Sequence, residues 1–250
     1  MPTELERAAE ILATAEKVMV TCHLGPDGDS VGSMVAMTSL LRQRAAQVTL
    51  YNPDLVPRYL KWLPLCKGVV HRLPRAAAFD ATVVMDCGDA KLLGPDFPGP
   101  EVTGKLVVID HHASGRPFGD VFLCDPDASS VGVIVARLAG RLGWALTEEA
   151  ALALYVSLVT DTGSFRYANT NAEALRLAAE LVERHGVGPW AVSERLSEQG
   201  TLGRYRLLSA TLATLEPTLG GHVVFMTITE EAALALYVSL VTDTGSFRYA

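Results

Sequence analysis

The sequence predicts an α/β fold: a mainly parallel sheet flanked by helices, followed by a partial second α/β lobe. Three observations predict it. Short continuous apolar runs, Ala81 to Met85 (ATVVM) and Leu106 to Ile109 (LVVI), suit strands buried on both faces. Such runs alternate with segments of helical periodicity, which implies βαβ units. From Ser129 onward the chain turns helical, so the sheet belongs to the first half.

Each element follows from local pattern. Leu5 to Glu16 places apolar residues at helical spacing. Lys17 to Cys22 (KVMVTC) is a β-rich run ending just before His23. Ser30 to Gln43 reads as a helix that Ser30 caps, and Gly25, Gly28 and Gly32 let the chain turn tightly around this segment. Gln47 to Tyr51 reads as another strand. Helices are expected at Val131 to Leu142, Thr147 to Val159 and Asn171 to His185. Gly186 and Gly188 stop the last of these, and Pro189 starts a short helix to Gln199. Gly200 to Gly203 marks a boundary, Arg204 to Leu215 a connecting helix, and His222 to Ile228 a strand. The organisation is therefore a domain over 1–199, a linker helix over 200–216, and an altered segment over 217–250.

That last segment holds an anomaly. Thr147 to Ala168 (TEEAALALYVSLVTDTGSFRYA) recurs letter for letter as Thr229 to Ala250. Natural repeats diverge, and repeat architectures stack several units. Two perfect copies fit a recent duplication less well than an introduced junction or a sequence error. Asp243 is therefore read as an echo of Asp161, not as a second site residue.

Bulk properties exclude several classes. Of 250 residues, 49% are hydrophobic, too many for a disordered chain. No stretch approaches the roughly 20 apolar residues of a membrane span. The acidic, amphipathic start MPTELERAAE does not resemble a secretion signal, so cytoplasm is the expected location. Four cysteines without a CxxC pair argue against a disulfide framework. A net charge of −7 disfavours a long nucleic-acid duplex, yet a short phosphate-bearing ligand remains compatible if metal ions supply positive charge locally.

Chemistry-bearing residues gather at element ends. KVMVTC is followed by His23, Asp27 and Asp29; ATVVM by Asp86 and Asp89; LVVI by Asp110, His111 and His112; VSLVT by Asp161. In open α/β sheets, ligands bind outside the carboxyl ends of the strands. Clustered carboxylates repel one another, and divalent cations reverse that balance. Mixed oxygen and imidazole donors suit Mn²⁺ or Mg²⁺ better than a thiolate site would. Two ions about 3.5–4 Å apart can share a carboxylate, clamp a phosphate and activate a water. The plain alternatives are a polar turn capping a helix for the first cluster, strand-end turns for Asp86 and Asp89, and surface roles for the histidines. Asp89 fits the turn role. Arg166 fits a phosphate contact and a salt bridge equally well. His71, His185 and His222 read as structural or exposed.

The constellation resembles the DHH phosphoesterase superfamily. The likeness rests on HLGPDGDSVGS (His23 to Ser33), VVMDCGD (Val83 to Asp89), IDHH (Ile109 to His112) and TDTGSFRY (Thr160 to Tyr167), in matching order from Ala9 to Gln199. TDTGSFRYANT and the Ala128-Ser129-Ser130 segment are similar to the nanoRNase and pAp-phosphatase branch, the bacterial oligoribonuclease type. The resemblance implies a metal-dependent hydrolase with two Mn²⁺ ions, which Mg²⁺ or Co²⁺ can replace. One ion would take His23, Asp27 and Asp86; the other would take Asp29, Asp86, His111 and Asp161. Asp110 would orient the adjacent imidazole, and His112 would face the substrate with Arg166. Substrates would be short oligoribonucleotides or 3′-phosphoadenosine 5′-phosphate (pAp), with no membrane partner and room for a homodimer. The superfamily's second lobe, DHHA1, grips substrate through a GGGH motif. Here Arg204 to Ile228 resembles only its beginning, and Gly220-Gly221-His222 comes too early to be that motif. A linear or cyclic dinucleotide phosphodiesterase and an inactive metal-binding relic stay open, and an inorganic pyrophosphatase fits the overall likeness less well.

Overall fold

The computed structural model describes residues 2–197 and 202–230. Five strands, β1 (Lys17–Cys22), β2 (Gln47–Leu50), β3 (Ala81–Met85), β4 (Lys105–Asp110) and β5 (Val121–Cys124), form one sheet in the order β2-β1-β3-β4-β5. Every neighbouring pair is parallel. β3 is buried at every position and β1 at all but Lys17, which is why their sequences run apolar without alternation. The inner strands end in register, with Cys22 opposite Met85 and Met85 opposite Ile109. Their carboxyl ends therefore deliver residues to one edge.

The chain divides into two compact units, 1–192 and 193–250. The helices of the first unit are α1 (Glu4–Thr14), α2 (Gly28–Gln43), the short α3 (Pro100–Thr103), α4 (Val131–Leu142), α5 (Glu148–Asp161) and α6 (Ala172–His185), and α7 (Pro189–Ser197) runs across the boundary at residue 192. α2 is buried along almost its whole length, between the sheet and α4 and α5. That burial explains its lack of an exposed polar face.

Three expectations about the first unit need correction. α2 starts at Gly28, two residues early, and Asp27 rather than Ser30 caps it. The Asp27 carboxylate accepts from the Ser30 amide at 3.0 Å, and the Ser30 hydroxyl accepts from the Asp27 amide at 2.9 Å. Both residue types cap well, and the reciprocal box satisfies two donors at once. Second, of the three glycines only Gly25 adopts a positive φ, at +63°. A Cβ at Gly28 would lie 2.4 Å from the Thr160 side chain, and one at Gly32 would lie 2.7 Å from the Ala153 carbonyl. These two glycines let α2 approach α5 closely. Third, the strand β5 has no counterpart among the expected elements.

The second unit holds α8 (Leu202–Leu212) and an antiparallel pair, β6 (Glu216–Thr218) and β7 (Val223–Phe225). β7 is shorter than the strand expected over His222 to Ile228. Residues 231–250, with Asp243 and nearly all of the repeated copy, lie outside the described residues.

Candidate metal centre

Four segments converge at the carboxyl edge: the turns after β1, β3 and β4, and the end of α5. After β3 the backbone of Asp86 turns into the left-handed region, with φ at +56°. For a residue with a Cβ, this conformation costs about 1–3 kcal/mol and persists only where its surroundings impose it. Here the Asp86 amide donates to the Ile109 carbonyl at 2.8 Å, one step beyond the β3–β4 ladder. The buried carboxylate then reaches two imidazoles. Its Oδ2 lies 3.6 Å from His23 Nε2, and its Oδ1 lies 3.9 Å from His111 Nε2.

Both imidazoles are oriented by main-chain carbonyls. His23 Nδ1 donates to the Leu24 carbonyl at 2.7 Å, and His111 Nδ1 donates to the Ala128 carbonyl at 3.0 Å. A carbonyl only accepts, so Nδ1 carries a proton and Nε2 faces the carboxylates. His111 Nε2 lies 3.7 Å from Asp29 Oδ2 and 3.7 Å from Asp161 Oδ2. The more exposed Asp27 offers Oδ1 at 4.0 Å from His23 Nε2.

Asp29 is buried in the first turn of α2. Its Oδ1 accepts from Ser157 at 2.5 Å and from Ser33 at 3.0 Å, and its Oδ2 accepts from the Val131 amide at the start of α4 at 2.8 Å. Burial, with the charge of Asp86 added, still holds this carboxyl well above the usual range. Burial likewise raises Asp161, opposed by His111, while Asn169 donates to its Oδ2 at 3.1 Å. Hydrogen bonding to Asp86 pushes His23 up to about 9. The site thus demands positive charge, which a cation can supply in place of protons.

Asp110 behaves differently from expectation. Its Oδ1 accepts from His112 Nδ1 at 2.8 Å, not from His111. Side chains alternate at the end of β4, so Asp110 and His112 share a side and His111 turns to the Ala128 carbonyl. The Asp110 hydrogen bond pushes His112 up to about 9. Arg166 does not join the cluster: its Nε donates to the Gly163 carbonyl at 2.7 Å.

The donor set fits divalent cations. His23, Asp27 and Asp86 present donor atoms within 4.8 Å of one another, as do Asp29, His111 and Asp161. Nitrogen and oxygen ligands about 2.1 Å from one ion stand roughly 3–4 Å apart. Asp86, His111 and His112 form a third such group, but His112 Nδ1 is committed to Asp110. Asp86 Oδ1 is buried and accepts no hydrogen bond among the described residues, which is costly unless a cation takes it. A cavity of about 580 Å³ opens over this edge. Its lining includes Lys91, Ser114, Gly115 and Arg116, which the sequence reading did not single out. Their only sequence signal is position, a few residues past Asp86 and His112.

A model of the N-terminal domain of the DHH family matches residues 17–158. The bifunctional oligoribonuclease and PAP phosphatase NrnA of Thermus thermophilus is 30% identical over 233 residues, spanning 92% of this chain and 68% of that protein. Its Bacillus subtilis namesake is 29% identical over 186 residues, spanning 73% of this chain and 57% of the relative. A probable manganese-dependent inorganic pyrophosphatase of Streptococcus agalactiae is 26% identical, spanning 80% of this chain and 64% of the relative. The chain thus spans just over half to two-thirds of these relatives. In fold, it superposes on an exopolyphosphatase-related protein from Bacteroides fragilis with a TM-score of 0.83 at 23% identity, over 99% of this chain and 72% of that one. No described helix is long and apolar enough to cross a membrane.

Proposed function

This chain belongs to the DHH family of phosphoesterases, and we propose that it hydrolyses the phosphoester bonds of short oligoribonucleotides, of pAp, or of both, with two divalent cations as cofactors. The observation that carries this reading is the buried Asp86 carboxylate, whose two oxygens address His23 and His111 separately. The names of the Thermus and Bacillus relatives supply the substrate class. A manganese-dependent relative and the mixed oxygen and nitrogen donors favour Mn²⁺.

His23, Asp27 and Asp86 would hold one ion; Asp29, Asp86, His111 and Asp161 would hold the other. Bound there, two divalent cations would supply an activated water and positive charge against the phosphate. The chain's own groups do the rest. Leu24 and Ala128 carbonyls keep both Nε2 atoms aimed inward. Ser33, Ser157 and the Val131 amide fix Asp29. Asp110 holds the His112 ring at the cavity wall, where a protonated imidazole donates to the leaving oxygen.

The test is a substrate panel with Mn²⁺: pAp, a 5′-labelled diribonucleotide, a cyclic dinucleotide and inorganic pyrophosphate. Release of phosphate from pAp or of mononucleotide from the diribonucleotide supports the proposal. Turnover of pyrophosphate alone, or of nothing, overturns it.

A further inference from the structure

The cavity wall carries more than the acidic edge. Asp27, Asp86, Asp89 and Asp161 line it together with two basic side chains, Lys91 and Arg116. Neither base belongs to the donor groups. Arg116 is 78% exposed at its side chain, and its closest ionic neighbour is Asp89, at 3.9 Å. That separation is too long for a hydrogen bond, so the guanidinium fork is available to a ligand. The Asp89 carboxylate is instead held by the Lys91 amide, which donates to Oδ1 at 2.9 Å and places Lys91 on the turn beside it.

The backbone carrying Arg116 is tied to the site. Its amide donates to the Gly88 carbonyl at 2.6 Å, two residues beyond Asp86. Gly88 and Gly115 are packed face to face: a Cβ on Gly88 would lie 3.3 Å from the Gly115 Cα, and Cβ atoms on the two glycines would lie 3.1 and 3.2 Å from Asp110 Oδ2. The loops after β3 and β4 are thus clamped together, and each presents one cation to the same cavity.

A nucleotide carrying two phosphates poses a charge problem here. The chain has a net charge of −7, so its general field repels a polyanion. Cations at the acidic edge would offset the charge of the phosphate being cleaved, and a second phosphate would need positive charge elsewhere on the wall. We infer that Arg116 and Lys91 hold the second, uncleaved phosphate, which makes this site selective for nucleotides bearing two phosphates. For pAp cleaved at its 3′ ester, that group is the 5′-phosphate. The inference rests on the phosphoesterase reading above for the identity of the cleaved ester.

Equilibrium titration with 5′-AMP in the presence of Mn²⁺ tests the grip without turnover of a 3′ ester. Arg116→Ala weakens binding roughly tenfold, Arg116→Lys restores part of it, and Arg116→Ala combined with Lys91→Ala weakens it further. Kinetically, Arg116→Ala raises KM for pAp by a similar factor with kcat unchanged, and leaves KM for bis(p-nitrophenyl) phosphate, which has a single phosphate, where it was. Equal 5′-AMP affinity in wild type and Arg116→Ala overturns the inference, as does an equal rise in KM for both substrates. Absence of turnover in the wild type defeats the proposed activity instead, and the 5′-AMP titration still decides the role of the pair.

Discussion

The Ser157 hydroxyl donates to Asp29 Oδ1 at 2.5 Å, joining the middle of α5 to the first turn of α2 inside the core. The same hydroxyl accepts from the Gly132 amide at 3.1 Å, so one small side chain ties α5 to α2 and α4. Ser157→Ala leaves a buried carboxylate short of a donor. We expect a loss of about 1–3 kcal/mol in unfolding free energy and a fall in Mn²⁺ affinity of roughly tenfold or more. Titration calorimetry with Mn²⁺ checks the second effect; unchanged affinity would reduce Ser157 to a packing residue.

Close approach of α2 to α5 gives a second prediction. A Cβ at Gly32 would lie 2.7 Å from the Ala153 carbonyl and 2.9 Å from the Ser157 amide, both main-chain atoms. Gly32→Ala therefore pushes the helices apart, at a cost of about 1–3 kcal/mol. Gly140, exposed in α4, meets nothing within 4 Å. Gly140→Ala should stabilise by about 0.5–1 kcal/mol. Thermal melts of the two variants should move in opposite directions.

In the proposed mechanism the Asp110–His112 pair serves proton transfer and not metal holding. Asp110→Asn weakens the hold on the His112 ring but removes none of the donor atoms assigned to the ions. We expect kcat to fall roughly 100-fold, with Mn²⁺ affinity little changed. A rise in KM with kcat intact would assign His112 to binding rather than proton transfer.

Away from the site, Arg137 bridges two carboxylates. Its Nε donates to Glu173 at 2.6 Å, and its other nitrogens engage Asp125 and Glu173. The Arg137 hydrogen bond holds Glu173 below its ordinary value of 4.5. For Asp125, burial pulls upward, yet hydrogen bonds from Arg137 and the Asp127 amide prevail and hold it low. Both folded values are depressed, so this stabilisation is complete above the ordinary carboxylate range and fades as pH falls through it. Arg137→Met should lower stability at pH 7 by about 1 kcal/mol, allowing for solvent screening. The gap from wild type should narrow below pH 4.5; a gap independent of pH would mean that lost packing, not charge, is responsible.

What the sequence made legible follows from burial. β1 and β3 match their expected bounds because both faces are covered and nothing interrupts the apolar run. β5 escaped because Val121–Cys124 is a short edge strand, mostly half-buried, and flanked by Asp120 and Asp125. The motifs pointed to the acidic edge, since His23, Asp86 and His111 each directly follow a buried strand. Tertiary facts stayed hidden. No local pattern says that Ala128 orients His111, that Ser157 reaches Asp29 from 128 residues away, or that Gly28 faces Thr160. Arg116 and Lys91 were equally silent, because exposed bases in loops have no periodicity to read.

The proposed function requires a pair of cations bridged by Asp86. Counting bound Mn²⁺ by equilibrium titration, with electron paramagnetic resonance on the same samples, reads both the number of ions and the bridge between them. The wild-type chain should bind two ions with a spin-coupled signal, and Asp86→Asn should show no coupling and hold at most one ion tightly. Two uncoupled ions in the wild type, or equal stoichiometry and coupling in Asp86→Asn, would contradict it.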